Sequence, residues 1–320
     1  MTPKLGIRQE EFIRVFKELQ STKAVAEHFG CSIANVHQRR RYLEKQGIIL
    51  PQFDKRPAYN RAATIDNNRA VYKLQVDDGV VIIGSDAHLW PGQRTTVQRA
   101  FLHFAQKIKP LAIIMNGDVF DGATISRHPS IGWENKPTVK QELEAVGDFL
   151  GDLQIASGAS KRIWCAGNHD LRLESRIAAN LPELIGVKGV HLKDWFDQWT
   201  PCWRCDINDD IVVKHRMAGG EHADWQNVLK SGKTTVTGHD HRIGVVPYRD
   251  YRGLRFGVRT GFMGESALDD QFVHYMEAAE PNWNAGFALL TFVGGRLLWP
   301  ELVTKFDDGQ VEFRGQVISV

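Results

Sequence analysis

Five short clusters in this 320-residue chain carry side chains able to hold metal ions. They are Ser85-Asp86-Ala87-His88, Gly117-Asp118-Val119-Phe120-Asp121, Gly167-Asn168-His169-Asp170, the single His215, and Gly238-His239-Asp240-His241. Carboxylate, imidazole and amide groups are oxygen and nitrogen donors. No thiolate stands among them, so the set suits hard-to-borderline divalent cations. In Asp86-x-His88 and His239-x-His241 the paired residues are two apart, and an extended chain points such pairs to one side. Gly117, Gly167 and Gly238 allow sharp backbone turns where ligands must be presented. A lone Asp or His in a loop is more often structural than ligating. The weight therefore lies in the ordered series, which points to metal-assisted chemistry.

Each cluster stands directly behind a segment that reads as a strand. Val80–Ile83, Leu111–Met115, Arg162–Ala166, Ile211–Lys214 and Thr234–Thr237 are short and rich in β-branched or apolar residues, as buried strands are. Between them, Val97, Phe101, Phe104, Ala105 and Ile108 share one helical face, as do Val139, Leu143, Val146, Leu150 and Leu153. Strand, helix, strand predicts an α/β core. In open α/β sheets ligands bind beyond the carboxyl ends of the strands, where all five clusters lie. The last sixty or so residues read as strand-rich.

The series Asp86-x-His88, Gly117-Asp118-x-x-Asp121, Gly167-Asn168-His169-Asp170, His215, Gly238-His239-x-His241 resembles the signature of the calcineurin-like metallophosphoesterases, over about residues 78–245. The strand-rich tail is similar to that family's second sheet. The resemblance implies a four-layer α/β/β/α sandwich and two divalent cations, manganese first, with iron, zinc or magnesium as alternatives. By position, Asp86, His88 and His241 would hold one cation, Asn168, His215 and His239 the other, and Asp118 would bridge them. A hydroxide between the cations would attack phosphorus. His169, oriented by Asp121, would protonate or stabilise the leaving oxygen. For the seventh ligand His222 competes with His215, which is favoured because it ends a strand. Arg127 and His128, just after the bridging-aspartate motif, are candidate contacts to the substrate phosphate.

The N-terminal residues differ in character. Residues 1–60 hold 11 Lys and Arg against 6 Asp and Glu, while the whole chain carries only +2. Helices are predicted over Glu10–Leu19, over Ser21–Phe29, and from an N-capping Ser32 to Lys45. Ala26, Gly30 and Val36 stand where helix-turn-helix proteins place a small residue, a turn glycine and a core aliphatic. Residues 1–50 thus resemble a small all-α DNA-binding domain, joined by a linker at 51–72 to a catalytic domain at 73–320. The third helix is expected to expose Asn35, His37, Gln38, Arg39, Arg40 and Arg41. Asn and Gln can read adenine edges, and Arg can read guanine or pair with phosphates.

Ser231-Gly232-Lys233-Thr234 imitates a phosphate-binding loop, but position 227 is Asn and the segment precedes a strand. Cys202-x-x-Cys205 has no second pair at zinc spacing. Four cysteines, no secretory leader and no apolar run of membrane length imply a reducing, cytoplasmic setting, the host cytoplasm for a phage-encoded protein. The expected function is a phosphodiesterase or nuclease acting on DNA. A phosphomonoesterase of nucleotides or phosphoproteins is the first alternative, and a non-enzymatic DNA-binding regulator the second. Oligomeric state is left open.

Overall fold

The β-branched run at Val80–Ile83 forms β2 (Gly79–Gly84), after a short β1 (Tyr72–Leu74). Along β2 alternate side chains face opposite ways. Ile82 turns toward a cluster with Phe101, Phe104, Val146 and Leu150. Val81 and Ile83 turn toward another with Val213, Val236 and Val258. One strand therefore feeds two cores, which is why its sequence is apolar throughout. The structure, a computed structural model, describes residues 7–48, 50–51, 71–128, 134–264 and 282–320. It divides into two compact units, Met1–Asp66 and Asn67–Val320. The proposed linker lies almost wholly outside the described residues.

In the larger unit the first sheet runs β2, β3 (Ala112–Met115), β4 (Lys161–Cys165) and β5 (Thr200–Cys202), all parallel. The second sheet is β1, β6 (Cys205–Ile207), β7 (Ile211–Val213), β8 (Thr234–Thr237), β10 (Gly253–Thr260) and β9 (Ile243–Asp250), in that spatial order. The tail does not form the second sheet, as the resemblance had implied. β11 (Gly286–Val293) pairs antiparallel with β2, Ala288 opposite Ile83, so it extends the first sheet. β12 (Arg296–Leu297), β13 (Glu301–Asp307), β14 (Gln310–Phe313) and β15 (Gln316–Ser319) follow it there.

Two helices cover the outer face of the first sheet. α4 (Thr96–Ile108) and α5 (Val139–Ser157) each begin with a capping box, at Thr95 with Gln98 and at Thr138 with Gln141, which satisfies two otherwise orphaned amides apiece. A shorter helix, α6 (Arg172–Asn180), follows β4. α7 (Ala223–Ser231) packs on the second sheet so closely that a methyl on Gly257 of β10 would strike the Asp224 carbonyl. The order helix, sheet, sheet, helix is the expected four-layer sandwich.

The smaller unit holds α1 (Gln9–Leu19), α2 (Thr22–His28) and α3 (Ile33–Lys45) around Phe12, Phe16, Val25, Val36 and Leu43. Ser21 and Ser32 cap α2 and α3 by accepting from the amides of Ala24 and Asn35. Gly30 takes φ +60° between the two helices. All four cysteines are free thiols. No helix among the described residues is long and apolar enough to cross a membrane.

Candidate metal centre

The carboxyl ends of β2, β3 and β4 in one sheet and of β7 and β8 in the other bring the predicted residues together. Ligand atoms of Asp86, His88 and His241 lie within 4.8 Å of one another, as do those of Asp118, His215 and His239, and those of His88, Asp121 and His169. His215 is buried, its Nδ1 2.7 Å from the Asn116 carbonyl and its Nε2 3.1 Å from Asp118 Oδ2. The competing His222 is exposed at the start of α7 and joins no such group among the described residues.

The ligand pairs are not presented by extended chain. Asp86, His88, Asp118, His239 and His241 all take left-handed backbone, with φ of 54°, 40°, 51°, 76° and 57°. Such conformations cost of order 1–3 kcal/mol each for ordinary residues, although Asp, Asn and His accept them best. Surrounding hydrogen bonds hold them there. The amides of Asp86 and His88 donate to the Gly117 and Asp118 carbonyls at 2.9 and 3.0 Å, and the His239 amide donates to Asp86 Oδ2 at 2.9 Å. The glycines also serve differently from expectation. Only Gly117 needs a positive φ, at 88°. Gly167 and Gly238 are required for close approach: a Cβ at 167 would meet Asp118, and one at 238 would lie 2.5 Å from Ser85 Oγ and 2.6 Å from Asp86 Oδ2.

The donor atoms fit divalent cations. Asp86 Oδ1, Asn168 Oδ1, His215 Nε2 and His241 Nδ1 are buried without a hydrogen bond, a costly state unless something coordinates them. Asp86 Oδ1 comes within 3.2 Å of His241 Nε2. Burial opposes charge on Asp118, but the nearby histidines, His215 first, outweigh it and hold the carboxyl at about 2. Burial likewise opposes charge on His215, and Asp86 and Asp118 lift it to about 9. Carboxylates and imidazoles in this cluster favour one another's charged forms.

Beside it, His169 Nδ1 lies 2.6 Å from Asp121 Oδ1, as expected of a ring oriented by that carboxylate. Burial works to lower the His169 pKa, but the Asp121 hydrogen bond and the Asp118 charge raise it above its ordinary value. Asp121 Oδ2 also accepts from Trp90 Nε1 at 3.0 Å. Arg172, which sequence reasoning passed over, donates to the Asp121 carbonyl at 2.9 Å and sets Nη2 3.1 Å from His169 Nε2.

Two more carboxylates were missed in these roles. Asp170 accepts the amides of Asp118, Val119, Phe120 and Gly167 and the Trp164 indole, all within 2.8–3.0 Å, and so binds the β3 and β4 loops into one piece. Glu142 of α5 accepts the amides of Gly122 and Ala123 at 2.5 and 2.9 Å, fixing the chain just past Asp121. Farther round, buried Arg259 joins Asp224 of α7, at 2.7 Å, to Asp240, at 3.1 Å, the residue between the two site histidines. Asp170 and Asp240 stand inside motifs already singled out, whereas nothing in the local sequence marks Glu142, Asp224 or Arg259.

Burial, then the charge of Asp121, pushes Glu142 from 4.5 up to about 7. A carboxyl whose folded value is raised stabilises the fold in its protonated form, so this contribution is full below about pH 4.5 and lost as pH rises through about 7. In metal-free protein, Glu142→Gln should remove that part of the pH dependence. Between about pH 5 and about 7.5 the wild-type melting temperature should fall by roughly 2–8 °C more than the variant's. Equal slopes in thermal melts would refute this.

Other expected contacts are not assembled. Arg127 and His128 are exposed after the turn Ala123–Ile125 and touch none of the clustered residues. On α3, Asn35, His37, Gln38 and Arg41 are exposed, but Arg39 is not. It is 8% exposed and donates to the Ile7 carbonyl at 3.3 Å, because position 39 falls on the buried stripe of Val36 and Leu43. Arg40 is half-buried and paired with Glu44 at 2.8 Å.

The profile of the calcineurin-like phosphoesterases matches residues 80–257, more than half of the chain. The Gene 54 protein of Mycobacterium phage L5 is 33% identical over 151 residues, which cover 43% of this chain and 58% of that protein. The chain thus spans under two thirds of that relative's length. The Gene 54 protein of Mycobacterium phage D29 is 23% identical over 246 residues, covering 70% of this chain and 92% of its own. Among solved structures, zinc-complexed Vps29 from Entamoeba histolytica aligns with a TM-score of 0.38 at 15% identity, covering 75% of this chain and 98% of that one.

Proposed function

Because the chain belongs to the calcineurin-like phosphoesterase family, metal-dependent hydrolases of phosphoesters, we propose that it cleaves phosphodiester bonds in DNA, with two divalent cations in the site and the helical head supplying DNA contacts. What carries the reading is the convergence of side chains from five strand ends, with buried donor atoms lacking a hydrogen bond at Asp86, Asn168, His215 and His241. Asp86, His88 and His241 would hold one cation, Asn168, His215 and His239 the other, and Asp118 both. The carboxylates and amide of this set suit manganese, and its imidazoles suit iron or zinc as well. When bound, such a pair lowers the pKa of a water and neutralises charge on the phosphoryl oxygens.

The chain's own groups do the rest. Asp121 occupies His169 Nδ1, leaving Nε2 to deliver a proton to the leaving oxygen. Arg172 can only donate, so it must turn from Nε2 when that nitrogen carries a proton, and it is then placed to take a phosphoryl oxygen. Asp170 and Glu142 keep both loops in register. The phage relatives agree with action in a host cytoplasm.

The head reading rests on the capped helix pair and the exposed Asn35, Gln38 and Arg41. Burial of Arg39 and pairing of Arg40 remove charge from that face, which favours the second reading, a phosphomonoesterase whose head only localises it. With Mn²⁺, the diesterase should turn over bis(p-nitrophenyl) phosphate faster than p-nitrophenyl phosphate. The reverse preference would install the monoesterase. In the same preparation, Arg40→Ala/Arg41→Ala should flatten the log–log salt dependence of duplex binding by about one unit per arginine that contacts a phosphate. An unchanged slope would remove the head as a DNA anchor.

A further inference from the structure

The second sheet has two ends, and only one meets the metal centre. β8 runs from Thr234 to Thr237 and then into His239. β7 runs from Ile211 toward His215, and β10 lies parallel to β8. At the opposite ends of these strands, Ile211, Thr234 and Gly253 floor a groove of about 650 Å³. Lys233 and His239 are separated by a strand's length, roughly 20 Å at 3.3 Å per residue, so the groove is not part of the metal centre.

Its walls are cationic. Lys233, Arg249, Arg252, Arg255 and Arg296 line it from five separate strands and turns. Arg255 is committed, pairing with Asp250 and donating to the Gly232 carbonyl at 2.8 Å. Lys233, Arg249, Arg252 and Arg296 have no ion pair among the described residues, and Asp210 is the sole acid on the described lining. Like charges gathered in a concavity raise its potential and draw anions. The groove also carries Trp299, 57% exposed and braced edge-to-face on Phe256 with ring centres 4.9 Å apart. At the β9–β10 turn Tyr251 stands fully exposed.

We infer that this groove binds single-stranded nucleic acid, the phosphates on Lys233, Arg249, Arg252 and Arg296 and a base on Trp299. An unpaired cationic track beside an open aromatic is the combination that holds single strands without sequence preference. A duplex presents no unstacked base to Trp299. A mononucleotide would leave cations spread over residues 233, 249–252 and 296 partly unanswered. The choice of nucleic acid over other polyanions rests on the DNA reading above, but the site is defined by binding and not by turnover. Strand engaged here would be held on the catalytic body itself, at a distance from the cations.

The test is anisotropy of a fluorescent oligothymidylate with full-length protein in EDTA, where hydrolysis is blocked. An Arg40→Ala/Arg41→Ala background removes the arginine contacts of the head, and every groove variant is compared within it. Adding Arg249→Ala/Arg252→Ala/Arg296→Ala should flatten the log–log salt slope by about two units, at about 0.7 per phosphate contact on a single strand. Trp299→Ala should weaken single-strand binding roughly five- to hundredfold and leave duplex binding unchanged. Circular dichroism, and Mn²⁺-dependent hydrolysis of a chromogenic ester where the protein shows it, should match the parent. Unchanged affinity and slope in the arginine variant overturn the proposal. Displacement of the oligonucleotide by thymidine triphosphate at equal concentration overturns it in favour of a mononucleotide site. Loss of chromogenic activity in the wild type would instead count against the hydrolase reading and leave the groove standing.

Discussion

Asp118→Asn should cost at least about a hundredfold in turnover while the protein stays folded. Asp118 shares a ligand group with His215 and His239, its Oδ1 accepting from the His169 amide at 2.8 Å and its Oδ2 lying 3.1 Å from His215 Nε2. The amide keeps the shape and one acceptor oxygen, so the His169 contact survives. What is lost is the charge that two cations would share, and removing one electrostatic anchor of this kind costs about 10²–10³ in rate. Metal content should fall with the rate, because the one side chain proposed to touch both cations is weakened for both. Elemental analysis, circular dichroism and chromogenic hydrolysis on the same preparation decide it. Wild-type rate and metal content in a folded variant would sink the assignment.

His169→Ala should separate binding from chemistry. The ring is no cation ligand in the proposed scheme, so metal content should be kept. Turnover should drop by about 10²–10⁴-fold, the share of a positioned general acid. The loss should be smallest for p-nitrophenolate, which leaves readily unprotonated, and largest for an alkyl or nucleoside leaving group. Asp121 and Arg172 both converge on this ring, so the effect depends on a ring they have already oriented. Equal losses on good and poor leaving groups would leave His169 a role in charge stabilisation alone. Loss of metal together with rate would place it among the ligands.

The site was legible because its chemistry is written in contiguous words. A β-branched run followed by glycine, carboxylate and imidazole is unusual enough in one place, and here it recurs along the chain. The four-layer architecture followed from the alternation and the family resemblance. Other features were out of reach for physical reasons. Whether β11 would join the first or second sheet depends on which edge is open, and local periodicity is silent on that. Asp170 was visible within its motif, but its grip on four amides needs the β3 loop alongside, some fifty residues away. Arg39 was half legible: its spacing from Val36 and Leu43 marks a buried stripe, while its charge argues for exposure. The structure resolves the conflict by folding the stem inward and giving the guanidinium the Ile7 carbonyl. The basic groove was invisible, since its cations come from segments that meet only when β8, β9, β10 and β12 are assembled.

The left-handed backbone at Asp86, His88, Asp118, His239 and His241 sets two filters on the same five positions. Coordination admits Asp, His and a few others. Positive φ admits Asn, Asp and His several-fold more readily than most residues and nearly excludes β-branched ones. The two alphabets overlap almost completely. A descendant of this chain that lost its cations would stay under pressure to keep these letters, because replacing any of them with a β-branched residue would penalise the fold itself. An intact aspartate and histidine signature in such a protein is therefore a weaker witness to catalysis than an intact Asn168, which has no such backbone constraint and whose buried amide oxygen is without a hydrogen bond.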